Sequence, residues 1–110
     1  MAVKVVNIIP SKFAEVAQTT QYIAENCKTI IDKFTATNVS AAPVTISVNL
    51  VLTGAAGDEN LIVKEKSIAA SETYVFPELV GHSLEPSSLI STLASAADAL
   101  VVRASGREVT

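Results

Sequence analysis

Pro43-Val44-Thr45-Ile46-Ser47-Val48-Asn49-Leu50-Val51-Leu52 is the stretch that decides the fold. Val44, Ile46, Val48, Leu50 and Leu52 share one parity, and Thr45, Ser47 and Asn49 share the other. Successive side chains of a strand point to opposite faces, so the pattern predicts a strand with one dry face and one hydrogen-bonding face. A helix would scatter the same apolar residues around its circumference. Five apolar residues in register need a second sheet to cover them, which implies a sandwich. Val44, Ile46, Val48, Leu50 and Phe34 are the expected core, with Phe76 and Leu100 added to it.

Working outward, Thr29 to Val39 reads as the preceding strand, with Phe34 and Ala36 on one face and Lys33, Thr35 and Thr37 on the other. Asn38 to Pro43 is the turn between the two. Thr53 to Asn60 forms the tip of a hairpin whose return strand is Leu61 to Ile68, and Gly54 and Gly57 supply positive φ there. Glu72 to Phe76 is a further strand, stopped by Pro77. Two segments are ambiguous. Ser11 to Ile31 has helical spacing at Phe13, Val16, Ala17, Thr20, Ile23, Cys27 and Ile30. Its Thr-Thr-Gln-Tyr-Ile and Thr-Ile-Ile runs nevertheless favour extended backbone around a Glu25-Asn26 turn. Two strands are expected there, with at most a short helix near Lys12 to Ala17. Ser88 to Ser105 reads as a hairpin around Ser95 to Asp98, or else as a helix aligning Leu89, Leu93, Ala97 and Leu100. Ser105-Gly106-Arg107-Glu108 resembles a tight turn. The sum is seven or eight short strands in a single all-β domain, a two-sheet antiparallel sandwich of jelly-roll or immunoglobulin-like Greek-key type.

The N-terminal stretch Ala2 to Ile9 carries Val3, Val5, Val6, Ile8 and Ile9 on both parities and is closed by Pro10-Ser11. No one-faced strand explains that pattern. It is either an edge strand of its own sandwich or an extended arm (residues 1–10) laid on another chain. In the second case Val3, Val5 and Ile8 are partner contacts.

Of the 110 residues 49% are hydrophobic and 17% charged, so a filled core is expected and wholesale disorder is not. The formal net charge of −3, from eight bases against eleven acids, opposes nucleic acid binding, which depends on Lys and Arg neutralising phosphates. Lys28 with Lys33, or Lys64 with Lys66, makes at most a local basic spot, and alternating exposed lysines usually mark a solvated face or a protected edge. The apolar N-terminus is too short to span a bilayer, and a soluble protein made in the cytoplasm is expected.

Chemistry is sparse. Cys27 is the only cysteine and His82 the only histidine, and neither sits in a recognisable catalytic or metal-ligating cluster. A buried free thiol and a surface imidazole are the expected states. Asp58-Glu59-Asn60 lacks the spacing of a calcium loop, and Thr53-Gly54-Ala55-Ala56-Gly57 lacks the Lys-Ser/Thr of a phosphate loop. No enzyme activity, cofactor or metal is expected. Arg103 and Arg107 could bind a partner's carboxylate, or they are charges guarding an edge strand.

Three segments carry a resemblance: Ile30-Ile31-Asp32-Lys33-Phe34-Thr35-Ala36-Thr37-Asn38, then Glu72-Thr73-Tyr74-Val75-Phe76-Pro77-Glu78-Leu79-Val80-Gly81-His82, and Ala99 to Val109. With the intervening Leu84 to Ala94 they resemble small β-sandwich virion proteins of tailed bacteriophages, closest to the capsid decoration (cement or staple) proteins of short-tailed phages. The likeness runs from about Thr19 to the C-terminus. It implies a jelly-roll or immunoglobulin-like fold with no active site. It also implies attachment in many copies to the major capsid protein on the virion surface. Self-association as a homo-oligomer, dimer or trimer, is compatible with such a role. A head–tail joining or tail component is the principal alternative, and a soluble binding module or enzyme is a third class. This chain departs from the family pattern at Glu85-Pro86-Ser87, where a Gly-Asp turn is usual.

Overall fold

The alternation of residues 44–48 folds as the sequence predicts. In the computed structural model, which describes residues 2–110, Val44, Ile46 and Val48 are buried while Thr45 and Ser47 are half-exposed. The strands are β1 (Val3–Phe13), β2 (Thr19–Ile23), β3 (Lys28–Asn38), β4 (Val44–Val51), β5 (Leu61–Ile68), β6 (Thr73–Val75), β7 (Ser83–Leu84), β8 (Leu89–Ala94) and β9 (Leu100–Val109). A single 3-10 turn at Asp58–Asn60 precedes β5. The helical alternatives for residues 11–31 and 88–105 do not form; each segment contributes strands instead.

Pairing is nested and antiparallel throughout. β1 pairs with β9, β2 with β8, β3 with β6 and β7, and β4 with β5. These pairs make one long ribbon that turns at the loop between β4 and β5. Rolling the ribbon brings β9 against β3 and β8 against β4. The resulting sheet orders, β1-β9-β3-β6 and β2-β8-β4-β5, are those of an eight-stranded jelly roll, with β7 a short addition on β3. An immunoglobulin-like sandwich would instead pair its first strand with its second. Here those two strands lie in different sheets, so the jelly roll is the correct one of the two topologies.

One apolar layer fills the space between the sheets, including Phe34, Phe76, Leu100, Ile46, Val48, Ile90 and Ile9. Phe34 and Phe76 meet edge to face at 5.2 Å, and Tyr74 joins Phe76 at 4.7 Å. Such pairs add about 0.5–1.5 kcal/mol each beyond their buried area.

The expected core needs one correction. Leu50 is only half-buried, and Leu52 lies beyond the end of β4, exposed. The register of β4 against β5 slips twice, between Ile46 and Val48 and between Val48 and Asn49, with Glu65 in a left-handed conformation (φ 48°). Bulges of this kind increase local twist and take the end of the ribbon out of alignment with the opposite sheet. The 53–60 loop then folds over the outer face, where Asn49 Nδ2 donates to Gly57 O (3.0 Å) and Asn60 Oδ1 (2.8 Å). Asn49 is therefore buried on the side expected to be wet. Within that loop Gly54 has positive φ, whereas Gly57 is extended (φ −159°) and needs no glycine-specific backbone.

Two further expectations give way. Pro10 does not end the first strand, because β1 is an edge strand whose register slips on both sides of Ile9, so no ladder hydrogen bond is lost at the proline. The slips also explain the apolar residues on both parities, since the adjacent Ile8 and Ile9 are both buried. Residues 2–10 are thus the internal edge strand and not an arm. Ser105 to Glu108 is not a turn but the interior of β9. Gly106 is there because a Cβ would lie 2.3 Å from the carbonyl oxygen of Ile30.

Candidate functional site

β9 alternates without interruption: Leu100, Val102, Ala104 and Gly106 face the core, so Val101, Arg103, Ser105, Arg107 and Val109 face outward. Its register to β3 carries the outward set across the sheet, pairing Arg107 with Ile30, Ser105 with Lys33, Arg103 with Thr35 and Val101 with Thr37. β1 adds Val3, Val5 and Phe13 opposite Val109, Arg107 and Val101, and β6 adds Val75 opposite Thr35. The outer face of this sheet is therefore a mosaic of apolar residues and cations. Val5 is 80% exposed, Val3 59%, Val75 47% and Phe13 44%.

The charge on this face is opposite in sign to that of the whole chain. Lys28, Lys33, Arg103 and Arg107 are four of the chain's eight basic residues, and both arginines are among them. Of its acids, Asp32 is bound to Arg107 in a bidentate pair, with Nε to Oδ2 at 3.0 Å and Nη2 to Oδ1 at 2.9 Å. Asp32 strengthens the hold of the Arg107 guanidinium on its proton, raising its pKa. Lys28 reaches Glu85 at 3.3 Å. Arg103 Nη2 donates only to the neutral amide oxygen of Asn7, at 3.0 Å. Lys33 and Arg103 have no carboxylate partner among the described residues.

The residues singled out from sequence thus divide. Val3, Val5, Arg103 and Arg107 share this face, whereas Ile8 points into the core and is not available to a partner. The guard role for the arginines fails because β9 is flanked on both sides, by β1 and β3. The carboxylate that Arg107 binds belongs to its own chain. Sequence reading placed Lys28 and Lys33 together but took them for a solvated surface, and it missed Phe13 and Val75. The shared parity of Lys33, Thr35 and Thr37 was visible. Their juxtaposition with Arg103 and Ser105 depends on pairing between residues about seventy positions apart, which no local pattern encodes.

No protein-family model and no curated protein matches the chain. One solved structure is similar, that of infectious bursal disease virus, Gx strain, at 13% identity and a TM-score of 0.48. The alignment covers 97% of this chain and 32% of that one, so the chain spans about a third of its neighbour's length.

Elsewhere the polar groups serve the fold. Cys27 is buried and its Sγ lies 3.6 Å from Thr29 Oγ1, while His82 is exposed in the loop before β7. Tyr22 bridges the sheets, its hydroxyl donating to Glu108 Oε2 (2.6 Å) and lying 2.7 Å from Thr29 Oγ1. Burial first, and the Glu108 carboxylate second, push the Tyr22 pKa well above the usual phenol value. Asn38 is fully buried and satisfied, its Nδ2 donating to Ala42 O and Ile68 O. Among the described residues no His, Cys, Asp and Glu cluster suits a metal ion, and no helix is long and apolar enough to cross a membrane.

Proposed function

We propose that this chain is a non-enzymatic structural protein of a bacteriophage virion, one that binds the major capsid protein lattice and stabilises the head as a decoration protein. The observation that carries the reading is the outer face of the β1-β9-β3-β6 sheet, where exposed valines and Phe13 surround a concentration of cations on an otherwise acidic protein. Exposed apolar area interspersed with arginine is the composition of a surface that a protein partner covers. A rigid jelly roll presents such a face without conformational change, and the fold is shared by many viral capsid domains. Fold does not determine function. The phage assignment comes from the resemblance of residues 30–38, 72–82 and 99–109.

A decoration protein needs only modest affinity at each site, because contacts repeated over a closed shell act collectively. Mass spectrometry of purified particles tests the proposal. Copy numbers comparable with the major capsid protein support it. A handful of copies overturns the decoration role in favour of a head–tail joining or tail component, and absence from particles overturns the virion reading.

A further inference from the structure

We infer that the cleft between Lys33 and Arg103 is a binding site for a carboxylate presented by an acidic segment of a protein partner. The cleft is a cavity of about 240 Å³ on the outer face of the β1-β9-β3-β6 sheet, lined by Lys33, Thr35, Arg103, Ala104 and Ser105. Lys33 faces Ser105 and Arg103 faces Thr35, which makes the two cations diagonal neighbours on one face. Like charges so placed repel, and no carboxylate among the described residues pairs with either. The nearby acid, Asp32, is taken by Arg107 through two parallel hydrogen bonds. Asp32 is the residue that the register skips between Ile31 and Lys33; its carboxylate reaches Arg107, and Lys33 pairs with Ser105.

The cleft has the donor set of an anion site. Arg103 is steadied by one bond to Asn7 and retains further N–H donors, the Lys33 ammonium adds three, and the Thr35 and Ser105 hydroxyls stand between them. The planar fork of a carboxylate matches a guanidinium, and a carboxylate is the anion that an unmodified protein partner carries. Exposed Val75 and Phe13 on the same face favour an anion carried on a protein surface over a free one. The inference deepens the docking role of this face and rests on that reading only for the partner's identity.

The test uses the purified chain alone. A capped tri-glutamate peptide and, separately, inorganic phosphate are titrated while side-chain and amide NMR signals are followed. Saturable shifts at Arg103 Nε–H, Lys33 and Ser105 with the peptide, weakened about tenfold (about 1.4 kcal/mol) by Lys33→Gln or Arg103→Gln and unchanged by Lys64→Gln, support the site. Lys33→Gln should also raise the melting temperature at low salt, because it relieves a repulsion that a merely structural lysine would not have. Saturation by phosphate but not by peptide overturns the proposal, as do peptide shifts that survive both substitutions. So does a lower melting temperature for Lys33→Gln. A chain that binds the peptide yet is absent from virions would sink the virion reading alone, and a virion protein blind to the peptide would sink the cleft alone.

Discussion

At the scale of single residues, Gly106 shows how closely two strands approach in this sandwich. A Cβ there would meet the Ile30 carbonyl oxygen at 2.3 Å, and that oxygen belongs to backbone, which cannot rotate away. Gly106→Ala should therefore cost about 3 kcal/mol, the upper end of the overpacking range, read as a lowered urea midpoint. Val48→Asp should cost several kcal/mol by the same measurement, since it places an unpaired charge in a fully buried position. Tyr22 makes a prediction about pH. Its folded pKa is raised, so it contributes stability that is complete below the unfolded value near 10 and is lost as pH climbs above it. Tyr22→Phe removes the bonds to Glu108 and Thr29 and should cost about 1–2 kcal/mol at pH 8. Between pH 8 and 11 the wild type should lose more stability than the variant. Equal losses would mean that Tyr22 titrates alike in the folded and unfolded chain.

Among the elements, β1 is the one whose role the structure redefines. It holds the outer edge of its sheet, covers one side of β9 and buries Ile8 and Ile9 in the core. Removing residues 2–10 takes away two isoleucines worth about 1.5–3 kcal/mol each and exposes the long edge of β9. The truncated chain should melt at least about 10 °C lower or fail to fold. An unchanged melting temperature would restore the arm. β1 also limits its own exposure as an edge: Lys4, Lys12, Pro10 and two register slips interrupt the run of free backbone groups. That is why its apolar side chains, on the face, are a better docking surface than its backbone edge.

For the whole molecule, the nested order means that the last strand completes the first sheet. β9 lies between β1 and β3, so β1 is not joined to the rest of that sheet until residues 100–109 are in place. Topologies dominated by such distant pairings fold in about milliseconds to seconds. Stopped-flow refolding should fall in that range, and a microsecond phase accounting for all of the signal would contradict that expectation. The same topology separates what could be read from the chain from what could not. Residues 44–48 alternate because a half-buried strand is a local, period-two object, and Asn26 marks the turn between β2 and β3 through a left-handed backbone (φ 56°) that asparagine tolerates. Strand positions, fold class and most of the core follow from such local rules. The choice of jelly roll over immunoglobulin-like sandwich, the interior place of β9, the loss of Leu50 from the core and the inward turn of Ile8 do not. Each is set by which distant strand supplies the partner and by where an extra residue slips the register, and that slip exchanges the two faces. The cation face has the same origin. Lys33 and Arg103 lie far apart in the chain and carry no local signal of one another; only the β3–β9 pairing makes them neighbours, because hydrogen-bond register and not sequence distance determines which side chains share a surface.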